Sequence, residues 1–157
     1  AISYILGIFK WTVFTFLALF IYKGASGGVH LKTHLGCILM TTAFYCIIPL
    51  VSQYFVIPNN IKYIIVPIIL IFGIVMIKLY APADTENLPI LRKKERKQKQ
   101  ILSYIIITSE ILIAIFIKNT TISGIIIFGD FIQTLTITRI AYRVTHNKYG
   151  HEIYAES

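Results

Sequence analysis

Two residues in this chain have the type and the setting for covalent chemistry. Cys37 offers a thiol, and His30, seven positions earlier, offers an imidazole that could take its proton. Both lie in the string KGASGGVHLKTHLGC, residues 23–37. An imidazole serves a thiol as base only within about 3 Å. In a continuous helix, seven residues turn through about 700° and rise about 10.5 Å, which is too far for direct contact. Gly24, Gly27 and Gly28 argue against such a helix, because glycine is costly in a helix interior and accepts positive φ and close backbone approach. The pattern predicts a shaped loop that folds His30 back over the start of a new helix, with Cys37 in its first turns. A helix N-terminus, Lys32 and a nearby imidazolium would each favour the thiolate, the reactive form. The loop's backbone N–H groups are candidates for holding an oxyanion. The spacing allows a dyad without requiring one, and packing roles for both residues remain open.

Two neighbours supply alternatives. His30, His34 and Cys37 at i, i+4 and i+7 would share a face if helical, as three zinc ligands do, but the glycines make that helix doubtful and no carboxylate stands in the loop as a general base. No metal or other cofactor is therefore expected. Cys46, nine positions past Cys37, falls about 900° round a helix, on the opposite face and deeper in apolar sequence, and reads as packing. Two cysteines do not make a disulfide framework, so a reduced thiol is expected.

The elements that must position this loop are membrane helices. The 157 residues are 56% hydrophobic and 14% charged, with mean hydropathy +0.73, far more apolar than a soluble domain. Apolar blocks at 35–57, 61–79, 101–117 and 122–142 each approach the roughly 20 residues that cross about 30 Å of hydrocarbon. Residues 2–22 could cross too, but Lys10 would then sit near mid-bilayer at about 2.5–3.5 kcal/mol. The reading preferred here is an interfacial turn at Gly7, Lys10 and Trp11, with Ala1–Ile8 ending a helix that begins upstream and Thr12–Tyr22 returning. The expected fold is an all-α polytopic membrane helix bundle, a single integral membrane domain over 1–157 truncated at its N-terminus, with six transmembrane helices in the full-length protein. Pro49 and Pro67 fall inside spans and mark expected kinks.

Net charge is +8, but the cations cluster between apolar blocks without aromatic interleaving or a reader motif, which argues against nucleic acid. Arg92, Lys93, Lys94, Arg96, Lys97 and Lys99 outnumber Asp84, Glu86 and Glu95 in the 80–100 loop, which places that loop in the cytoplasm. Alternation then puts the 23–36 loop there as well, with the tail carrying Arg139, Arg143 and Lys148. The basic run reads first as a topology signal against anionic lipid; the sharper reading has it attract an acidic peptide segment. Glu110, Asp130 and Gln133 are polar within spans, where such groups are expensive, and Gln133 or Asp130 is a candidate third residue orienting His30. Interhelical hydrogen bonding is the plainer role for each. Gly73 and Gly124 allow close helix contacts, within the chain or in a homo-oligomer. No internal repeat supports an inverted-repeat transporter.

Two strings together, SGGVHLKTHLGC at 26–37 and YAPADTENLPI at 80–90, resemble the accessory gene regulator protein B (AgrB) family, membrane cysteine peptidases of Gram-positive quorum sensing. That family places a His seven residues before a Cys after a glycine-rich loop, and a YAPADTEN-like segment ahead of a basic cytoplasmic run. The resemblance follows essentially the whole chain in order of elements. It implies that Cys37 attacks a small propeptide of the AgrD type, with His30 as base and then acid, and that the thioester is captured within the peptide to give a cyclic thiolactone or lactone. It also implies a bacterial cell membrane location with the catalytic loop facing the cytoplasm. A different class, a small peptide exporter or non-catalytic scaffold, would use the glycines and His30 for packing and line a path with Glu110 and Asp130.

Overall fold

The computed structural model describes residues 2–31 and 33–155, and Lys32, expected to stand near the thiol, falls outside them. Among the described residues eight helices follow in order: α1 (Ile2–Ile5), α2 (Phe9–Ser26), α3 (His34–Tyr54), α4 (Asn59–Tyr80), α5 (Lys93–Phe116), α6 (Thr120–Thr136), α7 (Arg139–Val144) and α8 (Gly150–Ala155). The chain is an all-α membrane helix bundle, as its composition predicts. Three of the helices, α3, α4 and α5, are long and apolar enough to cross a bilayer.

The remaining apolar block departs from its predicted bounds. The expected 122–142 span is broken: α6 ends at Thr136, and Thr138 caps a separate α7 by accepting from the Ala141 N–H. At 17 residues α6 is about 25 Å long, short for a lipid-exposed span. It is the central helix instead, packed against α2, α3, α4 and α5, with ten of its residues buried. The outer helices show the reverse pattern. Phe20, Ile21, Leu39, Ile64, Ile68, Ile71 and Ile113 are all exposed, which water would not tolerate on this scale and lipid does.

At the N-terminus the chain turns where the cost of Lys10 requires it. The break falls at Leu6–Ile8, with Gly7 at φ 68°, slightly before the predicted position. Lys10 and Trp11 therefore belong to the first turn of α2, with the Lys10 ammonium 5.0 Å from the Trp11 ring. Both α3 and α4 run through their prolines, Pro49 and Pro67, without ending. The two span glycines are spent inside the bundle: a Cβ on Gly73 would lie 2.2 Å from Ile107 of α5, and one on Gly124 would lie 3.0 Å from Ser52 of α3. Ser123 adds a hydrogen bond to the Ala114 carbonyl at 2.8 Å, tying α6 to α5.

The loops also come out shorter than the sequence suggests. α2 continues through Lys23 and Gly24 to Ser26, so the glycine loop proper is 27–33. The basic run is helical from Lys93 onward and forms the first turns of α5 rather than a loop. At this end of the bundle three distant segments meet. The Gly28 N–H donates to the Ala83 carbonyl (2.9 Å), the Ala83 N–H to the Ser26 carbonyl (2.8 Å), and the Val29 N–H to the Thr136 carbonyl (3.1 Å). The tail closes over them through Tyr142, whose hydroxyl donates to the Asp84 carbonyl and whose ring stacks 4.0 Å from that of Tyr149.

Candidate active site

Cys37 lies in the first turn of α3 because Thr33 starts that helix. The Thr33 hydroxyl accepts from the Gly36 N–H at 3.2 Å, and the Thr33 carbonyl accepts from the Cys37 N–H at 3.0 Å. Negative charge developing on the sulfur therefore sits at the positive end of the α3 dipole. His30 reaches it from the loop, not along a helix. Its Nδ1 is 3.9 Å from the Cys37 Sγ, a contact made possible by the reversal at Gly27 (φ 75°) and Gly28 (φ 135°). Both glycines are also needed for space. A Cβ on Gly27 would lie 2.2 Å from the Ala83 oxygen, and one on Gly28 would lie 2.6 Å from the Thr136 hydroxyl. The contact is looser than a working proton transfer requires, as is common before substrate tightens a site.

The fold holds the loop from three sides. Gln133 on α6 donates through Nε2 to the Ser26 hydroxyl (3.0 Å) and the Gly27 carbonyl (2.8 Å). Asn147 of the tail donates to the His30 carbonyl, fixing the imidazole's own backbone. Residue 83 supplies the third side through the two backbone bonds already described. One consequence is chemical: the N–H groups of Gly27, Gly28 and Val29 are all committed, to Lys23, Ala83 and Thr136 carbonyls, so none of these three is free for an oxyanion.

Lys23 is a side chain beside the dyad that the sequence reading did not single out. It is the last cation of α2, lines the cavity beside Cys37 as well as the cleft beside His30, and interacts electrostatically with both. Burial lowers the pKa of the Lys23 ammonium and proximity to Cys37 opposes that shift. Burial, then the Lys23 charge, lowers the pKa of His30 below its ordinary 6.5, so the imidazole is neutral and able to accept a proton at neutral pH. The signal was present in the sequence as a cation closing an apolar run just before a glycine-rich string. Asn147 had no such signal, being 117 positions from its partner.

The other candidates are placed apart from the dyad. Gln133 supports the loop, and its amide goes to Ser26 and Gly27 instead of His30. Asp130 is buried deeper on α6 and interacts electrostatically with Glu110 of α5, and its Oδ2 has no hydrogen-bond partner among the described residues. Arg92, Lys93, Lys94 and Lys97 are exposed at the start of α5, while Arg96 turns inward, 3.5 Å from the Asp84 carboxylate. Asp84 is fully buried and organises the YAPADTEN segment. It also accepts from the Ile90 N–H (2.9 Å), the His151 N–H (2.8 Å) and His151 Nδ1 (2.6 Å). Cys46 is a buried, free thiol in α3. His34 begins α3, and no group of three His, Cys, Asp or Glu side chains that could hold a metal occurs among the described residues.

The sequence is similar to that of known proteins over most of its length. The model of the family described as accessory gene regulator B matches residues 1–137. An AgrB-like protein of Listeria welshimeri is 28% identical over 151 residues, covering 94% of this chain and 71% of its own length. An AgrB-like protein of Listeria monocytogenes is 30% identical over 83 residues, 50% of this chain and 39% of its own. The accessory gene regulator protein B of Staphylococcus epidermidis is 28% identical over 144 residues, 90% of this chain and 71% of its own. No solved structure matches.

Proposed function

We propose that this chain, which belongs to the accessory gene regulator B family, is an integral membrane cysteine endopeptidase that cuts a small quorum-sensing propeptide and leaves its N-terminal part on Cys37 as a thioester. The observation that carries the reading is the 3.9 Å approach of His30 Nδ1 to Cys37 Sγ, made by a loop that reverses at Gly27 and Gly28.

His30 takes the thiol proton, and the sulfur attacks the scissile carbonyl. The oxyanion that forms meets the Lys23 ammonium and the N-terminus of α3, since the N–H groups of Gly27, Gly28 and Val29 are engaged elsewhere. His30 then returns its proton to the departing amine as the C–N bond breaks, leaving the acyl group on sulfur. A thiol or hydroxyl within the bound peptide attacks the thioester, the ring closes, and Cys37 leaves with its proton restored. Exchange of one thioester for another is nearly neutral in free energy, so exclusion of water decides between ring and linear acid. The cations at this end of the bundle support a cytoplasmic orientation for the dyad. The exposed cations at the start of α5 offer an acidic stretch of the propeptide a place to dock.

Incubation of the reconstituted protein with its propeptide, followed by intact-mass measurement, should show a Cys37 adduct equal to the N-terminal fragment less water. Cys37→Ala and His30→Ala should each abolish the adduct while inserting normally. Cleavage by either variant at the wild-type rate removes the proposal.

A further inference from the structure

Cations distant in sequence meet in a recess that the dyad does not use. Lys78 lies in the last turn of α4, Arg96 and Lys97 at the start of α5 and Arg139 at the start of α7, and all four line one cavity of about 280 Å³ beside α8. Two of these charges are already offset. Arg139 pairs with Glu152 at 2.8 Å, and Arg96, its side chain 22% exposed, lies 3.5 Å from the Asp84 carboxylate. The ammonium groups of Lys78 and Lys97 have no ion pair or hydrogen bond among the described residues, and neither has the Tyr80 hydroxyl on the same wall. The carbonyls that end α4 would repel an anion, but Gln100 donates to those of Ile77 (3.1 Å) and Lys78 (3.4 Å). The recess is thus left with two uncompensated positive charges and one phenolic donor.

Position selects the anion. α4 ends at this level after crossing the bilayer, and the apolar part of α5 begins just beyond Lys97. One turn deeper, Val75 lies under Leu79 and Ile101 under Lys97, and these three apolar residues are all exposed. A ligand that fits this junction carries negative charge at the level of the headgroups and apolar chains below it. We propose that the recess between the end of α4, the start of α5 and α8 binds the phosphodiester of an anionic phospholipid, with Lys78 and Lys97 as counter-charges and Tyr80 as a hydrogen-bond donor. A zwitterionic headgroup brings its own ammonium, which the two lysines repel. Occupancy reaches the glycine loop through one residue of chain: Ala81 and Pro82 line the recess, and Ala83 bonds to Gly28 and Ser26. Bound lipid therefore steadies the segment on which the loop rests, although the assignment makes no use of Cys37 chemistry.

Delipidated protein in neutral detergent, titrated with phosphatidylglycerol or phosphatidylcholine and read by native mass spectrometry, tests the site. A cation near the bilayer surface strengthens attraction to an anionic lipid about fivefold. Phosphatidylglycerol should bind first and at one site. Lys78→Met and Lys97→Met should each weaken it about fivefold and together about 25-fold, with phosphatidylcholine binding unchanged. Neither ammonium has a partner to lose, so each variant should unfold in neutral micelles as the parent does. Lys93→Met with Lys94→Met removes the same charge from exposed positions that do not line the recess, and should leave binding within about twofold. Equal loss in the two double variants would reduce the site to general attraction by a basic surface, and equal binding of both lipids would remove headgroup selection; either overturns the proposal. Sodium phosphate and hexaglutamate probe the other occupants. If either binds in a manner that needs Lys78 and Lys97 while phosphatidylglycerol is indifferent to both substitutions, the recess belongs to a soluble anion or an acidic peptide and the lipid assignment fails.

Discussion

Gly24 and Gly27 stand three residues apart in one glycine-rich string, yet alanine should affect them in opposite directions. Gly24 is inside α2 with nothing within 4 Å of an added Cβ. Alanine there removes unfolded-state freedom and should stabilise the chain by roughly 0.5–1 kcal/mol. Gly27 has φ 75° and ψ −148°, a region that side chains avoid at a cost of about 1–3 kcal/mol. Its Cβ would also lie 2.2 Å from the Ala83 oxygen, 2.9 Å from that residue's carbonyl carbon and 3.0 Å from its nitrogen. These are backbone atoms that no rotamer change can move aside. The two segments must part, breaking the Gly28-to-Ala83 and Ala83-to-Ser26 hydrogen bonds, each worth about 1 kcal/mol net. Gly27→Ala should therefore lose roughly 3–5 kcal/mol in all. Equilibrium unfolding in mixed detergent micelles reads the stability, and the pH dependence of Cys37 alkylation by iodoacetamide reads whether His30 still faces the sulfur. If Gly27→Ala unfolds within about 1 kcal/mol of the parent and keeps the parent's pH step, the loop is not shaped as argued here.

Two further outcomes follow from charge. The Lys23 ammonium disfavours imidazolium, so Lys23→Met should raise the His30 pKa towards its ordinary 6.5, though burial still holds it lower. The acid limb of acyl-enzyme formation should move to higher pH, and the rate above it should fall as the sulfur loses its counter-charge; an unmoved limb separates Lys23 from the dyad. Asp84→Asn presents an amide to donors that now share a buried carboxylate, at a cost of about 3–5 kcal/mol. It should free the tail, seen as tryptic cleavage after Arg143 and Lys148 at least about tenfold faster, and unchanged proteolysis would show that Asp84 does not anchor α8.

The bundle was legible in the sequence because apolar blocks of spanning length have few ways to satisfy their backbone in lipid. Its internal arrangement was not. Ile125, Ile126 and Ile127 give α6 an apolar look on every side, which fits a central helix and a lipid-facing one equally well. The break at Ile137 was hidden by the apolar residues around it, and only the Thr138 cap marks it. In the site, the glycines announced a reversal and so brought His30 to Cys37 correctly. Gln133 stands out for being polar in a span, which identifies a residue packed against the loop but not its partner: an amide has no preference between an imidazole and a glycine carbonyl until packing aims it. Asp84 was counted as one of three charges in a loop, and nothing local separates a buried carboxylate from Glu86, two positions on and exposed.

The stitching of the glycine loop sets a clock on the thiol. His30, in the glycine loop, and Cys37, on α3, leave the ribosome well before the carbonyl of Thr136 that holds Val29 and the amide of Asn147 that holds His30. Asn147 follows His30 by 117 positions, roughly 6–23 s of synthesis. For that interval the nascent chain carries both reactive groups without the framework that pairs them, and the dyad comes together only once the later helices have been inserted beside the earlier ones.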